Sequence, residues 1–174
     1  MNKTTYRIKS LLLIAAFLII ITAALAYFNN PGQDATFVQP FQVTTEGYSV
    51  AEVGIEQSTL YLSTDCYQLS MDISDTQALS ISRGLENIID SRPLTHDTMK
   101  DMMDNFGIST LAVRIDSFDN GIYYARIIIR QGNKILSLDS RPSDAVAIAV
   151  RADIPVYVKD NIMSSYGKNI CGPE

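Results

Sequence analysis

The first half of the folded region shows short runs of mostly β-branched or aromatic residues. Polar groups such as Glu56-Gln57-Ser58 separate these runs, as expected for strands linked by tight turns. The pattern predicts a three-stranded meander over residues 49–55, 59–63 and 68–73.

Two amphipathic segments come next and predict helices. Ser74-Asp75-Thr76-Gln77 has the form of a capping box, and the apolar residues after it recur at helical spacing. They predict one buried helix face made of Ala78, Ile81, Leu85 and Ile88. A second helix is predicted to begin with Thr95 as N-cap and to end at Gly107. Its core face is predicted at Met99, Met102, Met103 and Phe106.

The later part of the chain predicts further strands and one interior helix. Asn120-Gly121 supplies the positive φ angles of a tight hairpin between strands over 110–117 and 122–130. The remaining elements are a strand at 134–139, a helix that begins at Pro142 and is apolar on every side over 145–150, and a strand at 154–158. This order predicts an α+β fold, with a mixed α/β sheet and helices packed on it.

The N-terminal region predicts a membrane segment and a tether. Residues 11–28 are uncharged and apolar over about the length that crosses a bilayer. Lys3, Arg7 and Lys9 precede this run, so the positive-inside rule places the N-terminus in the cytoplasm. We expect a cytoplasmic N-terminus over 1–10, a transmembrane or signal-anchor helix over 11–28, a linker over 29–42 and a domain over 43–174.

This topology predicts a single-pass protein of the cell membrane whose domain lies outside the cytoplasm. Ala24-Leu25-Ala26 also has the small-x-small form that signal peptidase accepts. Cleavage there would release the domain as a secreted protein, so both outcomes stay open.

Charge and cysteine usage narrow the chemistry of the exported part. All 19 acidic residues but only 11 of the 14 Lys and Arg residues lie beyond residue 30, a formal net charge of −8. Such a domain repels a polyanion at long range, so phosphate chemistry would need local Arg residues or metal ions. Cys66 and Cys171 would meet an oxidising compartment. They either form a disulfide or stay as unpaired thiols too far apart to meet.

Two similar segments hold the candidate chemistry: Ser91 to Asp97 and Asp139 to Asp144. Each has Ser-Arg-Pro leading into a helix, which places an Arg and carboxylates beside the positive helix end. One hypothesis is a phosphate site with Arg92 and Arg141 on the phosphate and His96 in proton transfer. In it a divalent metal, Mg²⁺ or Mn²⁺, would be held by Asp97, Asp139 and Asp144.

The alternative is that these residues only stabilise helix ends, as first-turn Asp residues and Arg–Asp pairs often do. Asp97, Asp101 and Asp104 share one helix face, which is typical of a solvated surface. The chain has no Gly-rich phosphate loop, Gly-x-Ser-x-Gly, Cys-x-x-Cys or His-Glu-x-x-His. Common cofactor enzymes are therefore not expected.

The segments RPLTHD at 92–97 and DSRPSDAVAIAV at 139–150 resemble the two signature segments of the bifunctional nuclease domain family. The resemblance extends from about Val53 to Tyr166. It implies DNase and RNase activity, a wedge-shaped homodimer and an active site in a groove. The motif positions that carry over are Arg92, His96, Asp97, Asp139, Arg141, Ser143 and Asp144, and Ser143 joins Arg92 and Arg141 as a predicted substrate-binding residue.

One position departs from the family pattern, since Gln77 stands where the family usually has Glu. If that Glu binds metal or moves a proton, Gln77 weakens catalysis, whereas in a capping box Gln serves equally well. Two hypotheses follow. The chain is a membrane-tethered, metal-assisted nuclease for DNA or RNA, or it is a catalytically inactive binding module at the outer membrane surface.

Overall fold

A computed structural model describes residues 18–22 and 43–172 of the chain. The predicted membrane segment 11–28 lies outside the described residues except for 18–22, which are helical, and the linker 29–42 lies outside them altogether. Within these described ranges, no helix has the length and apolar character needed to cross a bilayer. The compact unit Val43–Glu174 contains the fold that follows.

The domain is built on an eight-stranded sheet with the strand order β6-β5-β4-β7-β1-β2-β3-β8. The strands are β1 Tyr48–Glu56, β2 Thr59–Ser63, β3 Tyr67–Asp72, β4 Ile108–Asp119, β5 Ile122–Gln131, β6 Lys134–Ser140, β7 Val156–Lys159 and β8 Lys168–Asn169. Neighbours are antiparallel except for β4 and β7, which run parallel. The meander is β1 to β3, and Asn120 and Gly121 turn the β4–β5 hairpin with φ of 50° and 82°.

Four helices accompany the sheet: α1 Asp75–Leu85, α2 Thr95–Asn105, α3 Pro142–Ala152 and α4 Asp160–Tyr166. Residues Ala145 to Ala149 of α3 are fully buried, because this apolar helix packs against both the sheet and α1. A Cβ atom at Gly84 of α1 would lie 2.4 Å from Val150 Cγ2, so glycine permits the close approach of α1 and α3. The predicted mixed α+β fold is confirmed.

Two predicted core faces are partly wrong. In α1, Ala78 and Ile81 are buried, but Leu85 and Ile88 are exposed because the helix ends at Leu85. Of the four predicted α2 side chains only Met103 is buried, while 58% of Met102 and 67% of Phe106 are exposed. Met102 and Phe106 line an open groove beside β4 and β5 and remain on the surface.

The C-terminal region contains elements that the sequence pattern did not predict. Helix α4 follows β7 directly, and the short β8 pairs with β3.

Cys66, before β3, forms a disulfide with Cys171, after β8, with Cα atoms 4.9 Å apart. The bridge joins residues 105 positions apart. In the chain-entropy account, a loop of that size corresponds to about 4–5 kcal/mol of stabilisation.

Candidate functional site

A cleft of about 520 Å³ lies where α1, the starts of α2 and α3, and the end of β6 meet. Polar residues from all four elements line it, over an apolar floor that includes Ile127 and Ile148. The polar lining residues are Thr76, Gln77, Ser80, Thr95, His96, Asp139, Ser140, Arg141 and Asp144. The fold therefore brings His96, Asp139, Arg141 and Asp144 of the predicted site into one cleft.

His96 lies in the first turn of α2, and its imidazole is held on both sides. Ser80 Oγ of α1 is 2.9 Å from His96 Nδ1. On the other side, Nε2 is 3.5 Å from Asp144 Oδ1 of α3. Because Ser80 occupies Nδ1, Nε2 is the ring nitrogen that faces the acidic side of the cleft.

The surroundings of His96 favour its neutral form. Burial is the largest cause and lowers the pKa of the imidazole below its ordinary value of 6.5, and the positive charge of Arg151 lowers it further. The carboxylate of Asp144 acts in the opposite direction and limits the decrease. A neutral imidazole at neutral pH can accept a proton, as a general base must.

Arg141 and Asp144 form a two-pronged pair at the start of α3. Arg141 Nε is 2.6 Å from Asp144 Oδ2, and Nη2 is 3.0 Å from Oδ1. The Arg141 side chain is 69% exposed. The guanidinium therefore lies at the mouth of the cleft, where an incoming phosphate can reach it.

Asp97 is buried, which corrects its assignment to a solvated surface. It also lies outside the cleft. The Asp97 and Arg151 side chains are only 7% and 6% exposed, and Asp97 Oδ1 accepts a 2.6 Å bond from Arg151 Nε. Asp97 Oδ2 accepts a 2.7 Å bond from the backbone N–H of Leu94, which is the observed N-cap in place of Thr95. Both oxygens of Asp97 therefore accept hydrogen bonds that stabilise the start of α2. Asp97 does not line the cleft where a metal was predicted.

Three other predicted residues occupy different surroundings. Ser143 is buried in the first turn of α3 and does not line the cleft, so it is not placed to contact a substrate there. Arg92 is exposed in the loop before α2 and is also absent from the lining. Asp139 lines the cleft as an exposed residue near the end of β6, paired in register with Arg126 of β5.

Gln77 closes the capping box of α1. Its Oε1 accepts a 2.9 Å bond from the Ser74 backbone N–H, and the backbone N–H of Gln77 donates to Ser74 Oγ. Gln77 also lines the cleft. The local bonds require only a carbonyl or carboxylate oxygen, which Gln and Glu both supply.

The sequence analysis missed Ser80, which lines the cleft, and Arg151, which is the buried partner of Asp97. Ser80 precedes the buried Ile81 on α1 and looked like an ordinary helix residue. Arg151 is in the last turn of α3, where a basic residue usually needs no partner beyond the helix end. Their partners, His96 and Asp97, are neighbours on α2. No local sequence pattern predicts the Ser80–His96 or the Arg151–Asp97 contact.

The donor set restricts which metal could bind. Three His, Cys, Asp or Glu side chains do not come together as a ligand group in the part of the chain that the structure describes. A closed zinc cage therefore does not fit these residues. Asp139 and Asp144 both line the cleft, and one or two carboxylates are the protein contribution typical of Mg²⁺, which keeps waters and substrate phosphates as its other ligands.

The bifunctional nuclease domain family matches residues 60–170, which is more than half of the 174-residue chain. The chain belongs to this family, as the two signature segments predicted.

Several curated proteins are similar to the same region. An uncharacterized protein of Mycobacterium tuberculosis is 35% identical over 95 residues, which cover 55% of this chain and 56% of that protein. Bifunctional nuclease 1 of Oryza sativa subsp. indica is 31% identical over 108 residues, which cover 60% of this chain and 33% of that protein. Bifunctional nuclease 2 of Arabidopsis thaliana is 29% identical over 105 residues, which cover 59% and 32%. The match thus spans about half of the mycobacterial protein and about a third of each plant protein.

Proposed function

We propose that this chain hydrolyses phosphodiester bonds of DNA or RNA in the cleft between α1, α2 and α3. The observation that carries the proposal is the position of the single histidine, between Ser80 and Asp144 and beside the exposed Arg141. Membership in the bifunctional nuclease family supports a nucleic acid as the substrate. The names of the plant relatives point the same way.

His96 is the proton-transfer group of this proposal. When Nδ1–H donates to Ser80 Oγ, the Nε2 lone pair is free to take a proton from an attacking water. The imidazolium that forms would lie 3.5 Å from the Asp144 carboxylate, which favours the charged form.

Arg141 is the phosphate-binding group. Its Nε and Nη2 bond to Asp144, which leaves Nη1 for a phosphate oxygen at the mouth of the cleft. This local cation is needed because the acidic domain as a whole repels a polyanion.

A divalent metal, Mg²⁺ or Mn²⁺, is part of the proposal through Asp139 and Asp144. Bound there, the ion would supply Lewis-acid stabilisation of the phosphate charge. Asp97 is not among its proposed ligands, because it is buried against Arg151 and does not line the cleft.

The membrane tether over 11–28 and the homodimer also belong to the proposal. The tether rests on the apolar run of the sequence, and the dimer rests on the family resemblance. Membrane fractionation of cells that express the full-length chain tests the first. Light scattering of the purified chain tests the second.

A second candidate is a module of the same fold that binds a partner at the membrane surface without cleaving nucleic acid. The formal net charge of −8 beyond residue 30 favours it, because acidic surfaces disfavour nucleic acid binding. Gln77 does not decide between the two, since its observed bonds suit either residue type.

The deciding experiment is cleavage of fluorescent single- and double-stranded DNA and RNA by the full-length chain with Mg²⁺, Mn²⁺ or EDTA. We expect metal-dependent cleavage that is lost in an Asp139→Ala/Asp144→Ala double variant. His96→Ala should reduce the rate about 10²- to 10⁴-fold, the usual contribution of a positioned acid or base. Absence of cleavage, or cleavage that survives in the double variant, would favour the binding module.

A further inference from the structure

A second concave surface, here called the α2 groove, continues from the cleft along α2. It encloses about 550 Å³ and is lined mainly by apolar side chains of α2, β4 and β5: Met99, Met102, Met103, Phe106, Ile108 and Ile129. Thr95 and Met99 line both the cleft and the groove. The cleft and the groove therefore adjoin at these two residues, so a ligand chain in the cleft lies next to the groove.

The α2 groove presents large apolar side chains to solvent. Phe106 and Met102 are mostly exposed, and Leu136 of β6, the register partner of Ile129, is also exposed. Contiguous exposed apolar surface of this kind marks a binding site more often than a random surface does. The side chains offer an aromatic ring and polarisable thioethers, which suit flat, weakly polar ligands.

The lining of the groove decides which part of a nucleic acid fits. In the part of the chain that the structure describes, its lining residues are apolar apart from Thr95 and Thr98, and none of them is charged. Phosphates would find no cation here, whereas bases would gain contact with the apolar wall. A duplex carries its phosphates outside and its bases stacked inside, so it cannot offer bases to this wall.

We propose that the α2 groove binds unpaired bases of a single-stranded nucleic acid whose phosphate backbone enters the cleft. This inference rests on the proposed nuclease function and adds a base-binding subsite to it. At 1.5 Å per residue, Phe106 lies roughly 16 Å along the helix from Thr95. Phe106 therefore contacts a nucleotide that flanks the cleaved bond and acts on strand binding rather than on the chemical step.

The test measures binding of a short, hydrolysis-resistant phosphorothioate DNA strand to the full-length chain by fluorescence anisotropy. The strand is compared with one in which the bases on one side or the other of the central linkage are replaced by abasic sites. Phe106→Ala is compared with Ile122→Ala, which removes another mostly exposed apolar side chain at the opposite end of the β4–β5 hairpin.

We expect Phe106→Ala to weaken binding of the base-bearing strand about 5- to 150-fold, the range for loss of one stacked base. Binding of the matching abasic strand and binding by Ile122→Ala should change by less than about twofold. No loss, or an equal loss for both strands, would overturn the inference. A Phe106→Ala chain that falls from dimer to monomer in light scattering would also overturn it, because the groove would then be a contact between two copies.

The cleavage assay separates this inference from the proposed function. If the wild-type chain cleaves nucleic acid but Phe106→Ala binds the strand normally, the groove assignment fails and the nuclease stands. If base-dependent binding is lost in Phe106→Ala but no condition yields cleavage, the groove stands and the nuclease fails.

Discussion

The starts of α2 and α3 share the tripeptide Ser-Arg-Pro and a first-turn aspartate, yet the structure places them in opposite roles. At α2, Asp97 is buried against Arg151 and the N–H of Leu94, and Arg92 lies outside the cleft. At α3, Asp144 faces the cleft beside His96, and Arg141 pairs with it at the cleft mouth. Similar residues thus stabilise one helix and form the candidate site on the other.

The difference shows that burial decides what an aspartate at a helix start does. A carboxylate whose two oxygens are both engaged away from solvent has none left for a metal or substrate. One that lies in an open cleft keeps exchangeable partners. The motif alone identifies both positions as helix starts, but the partner from another helix gives each position its role.

Of the two aspartates at the helix starts, Asp97 should contribute more to the free energy of unfolding. Asp97→Ala leaves the buried Arg151 charge without its partner, so we expect a loss of about 3–5 kcal/mol in the free energy of unfolding. Asp144→Ala breaks a pair whose Arg141 side chain is 69% exposed and should cost less than about 1 kcal/mol. Urea unfolding of both variants measures this, and equal losses would contradict the distinction between the two helix starts.

The buried Asp97–Arg151 pair should also make the free energy of unfolding depend on pH in the acid range. Burial acts to raise the pKa of Asp97, but the hydrogen bonds from Arg151 and Leu94 outweigh it and hold the pKa below its ordinary value of 3.8. The stabilisation is therefore fully present above about pH 3.8 and is lost as pH falls through the lower folded-state pKa. Unfolding free energies of the wild type should fall steeply in that range, and those of Asp97→Ala should be flatter. Parallel curves would show that Asp97 is not the group responsible.

The two arginines should separate in the cleavage assay. Arg141→Ala should slow cleavage about 10²-fold, the order seen when one donor to a developing negative charge is removed. Arg92 does not line the cleft, so Arg92→Ala should change the rate by less than about threefold, equivalent to roughly 0.6 kcal/mol. A larger effect of Arg92→Ala would restore the sequence-based assignment of both arginines to the phosphate.

Ser80→Ala should produce a smaller loss, because it removes one hydrogen bond that orients His96. A net value of about 0.5–1.5 kcal/mol for such a bond corresponds to roughly a 2- to 12-fold decrease in cleavage. Burial is the main cause of the lowered His96 pKa, and Ser80→Ala leaves most of that burial in place. In a plot of cleavage rate against pH, the rate of the wild type and of Ser80→Ala should therefore fall on the acidic side with a midpoint below pH 6.5. A pH–rate profile without such a fall would argue against His96 as the base.

Gln77→Glu should have the smallest effect. Glu can close the capping box of α1 as Gln does, so the free energy of unfolding should change by no more than about 0.5 kcal/mol. Cleavage should stay within about threefold of the wild type, a difference of roughly 0.6 kcal/mol. A large gain in activity would show that this lining position has a catalytic part beyond its cap.

Local interactions made much of this molecule predictable from its sequence. The β1–β3 meander, the Asn120-Gly121 hairpin, the α1 capping box and the buried α3 all depend on residues close together in the chain. The two signature segments were sufficient to predict the family. These features follow from backbone preferences, hydrogen bonds within a few residues and the spacing of apolar side chains.

Only the tertiary structure decided which candidate residues share a site. Ser80 meets His96 across 16 positions of the chain, and Arg151 meets Asp97 across 54. Met102 and Phe106 likewise stay exposed, although their spacing is typical of a core face. Periodicity specifies the side of a helix but not what covers it, because burial depends on how distant elements pack.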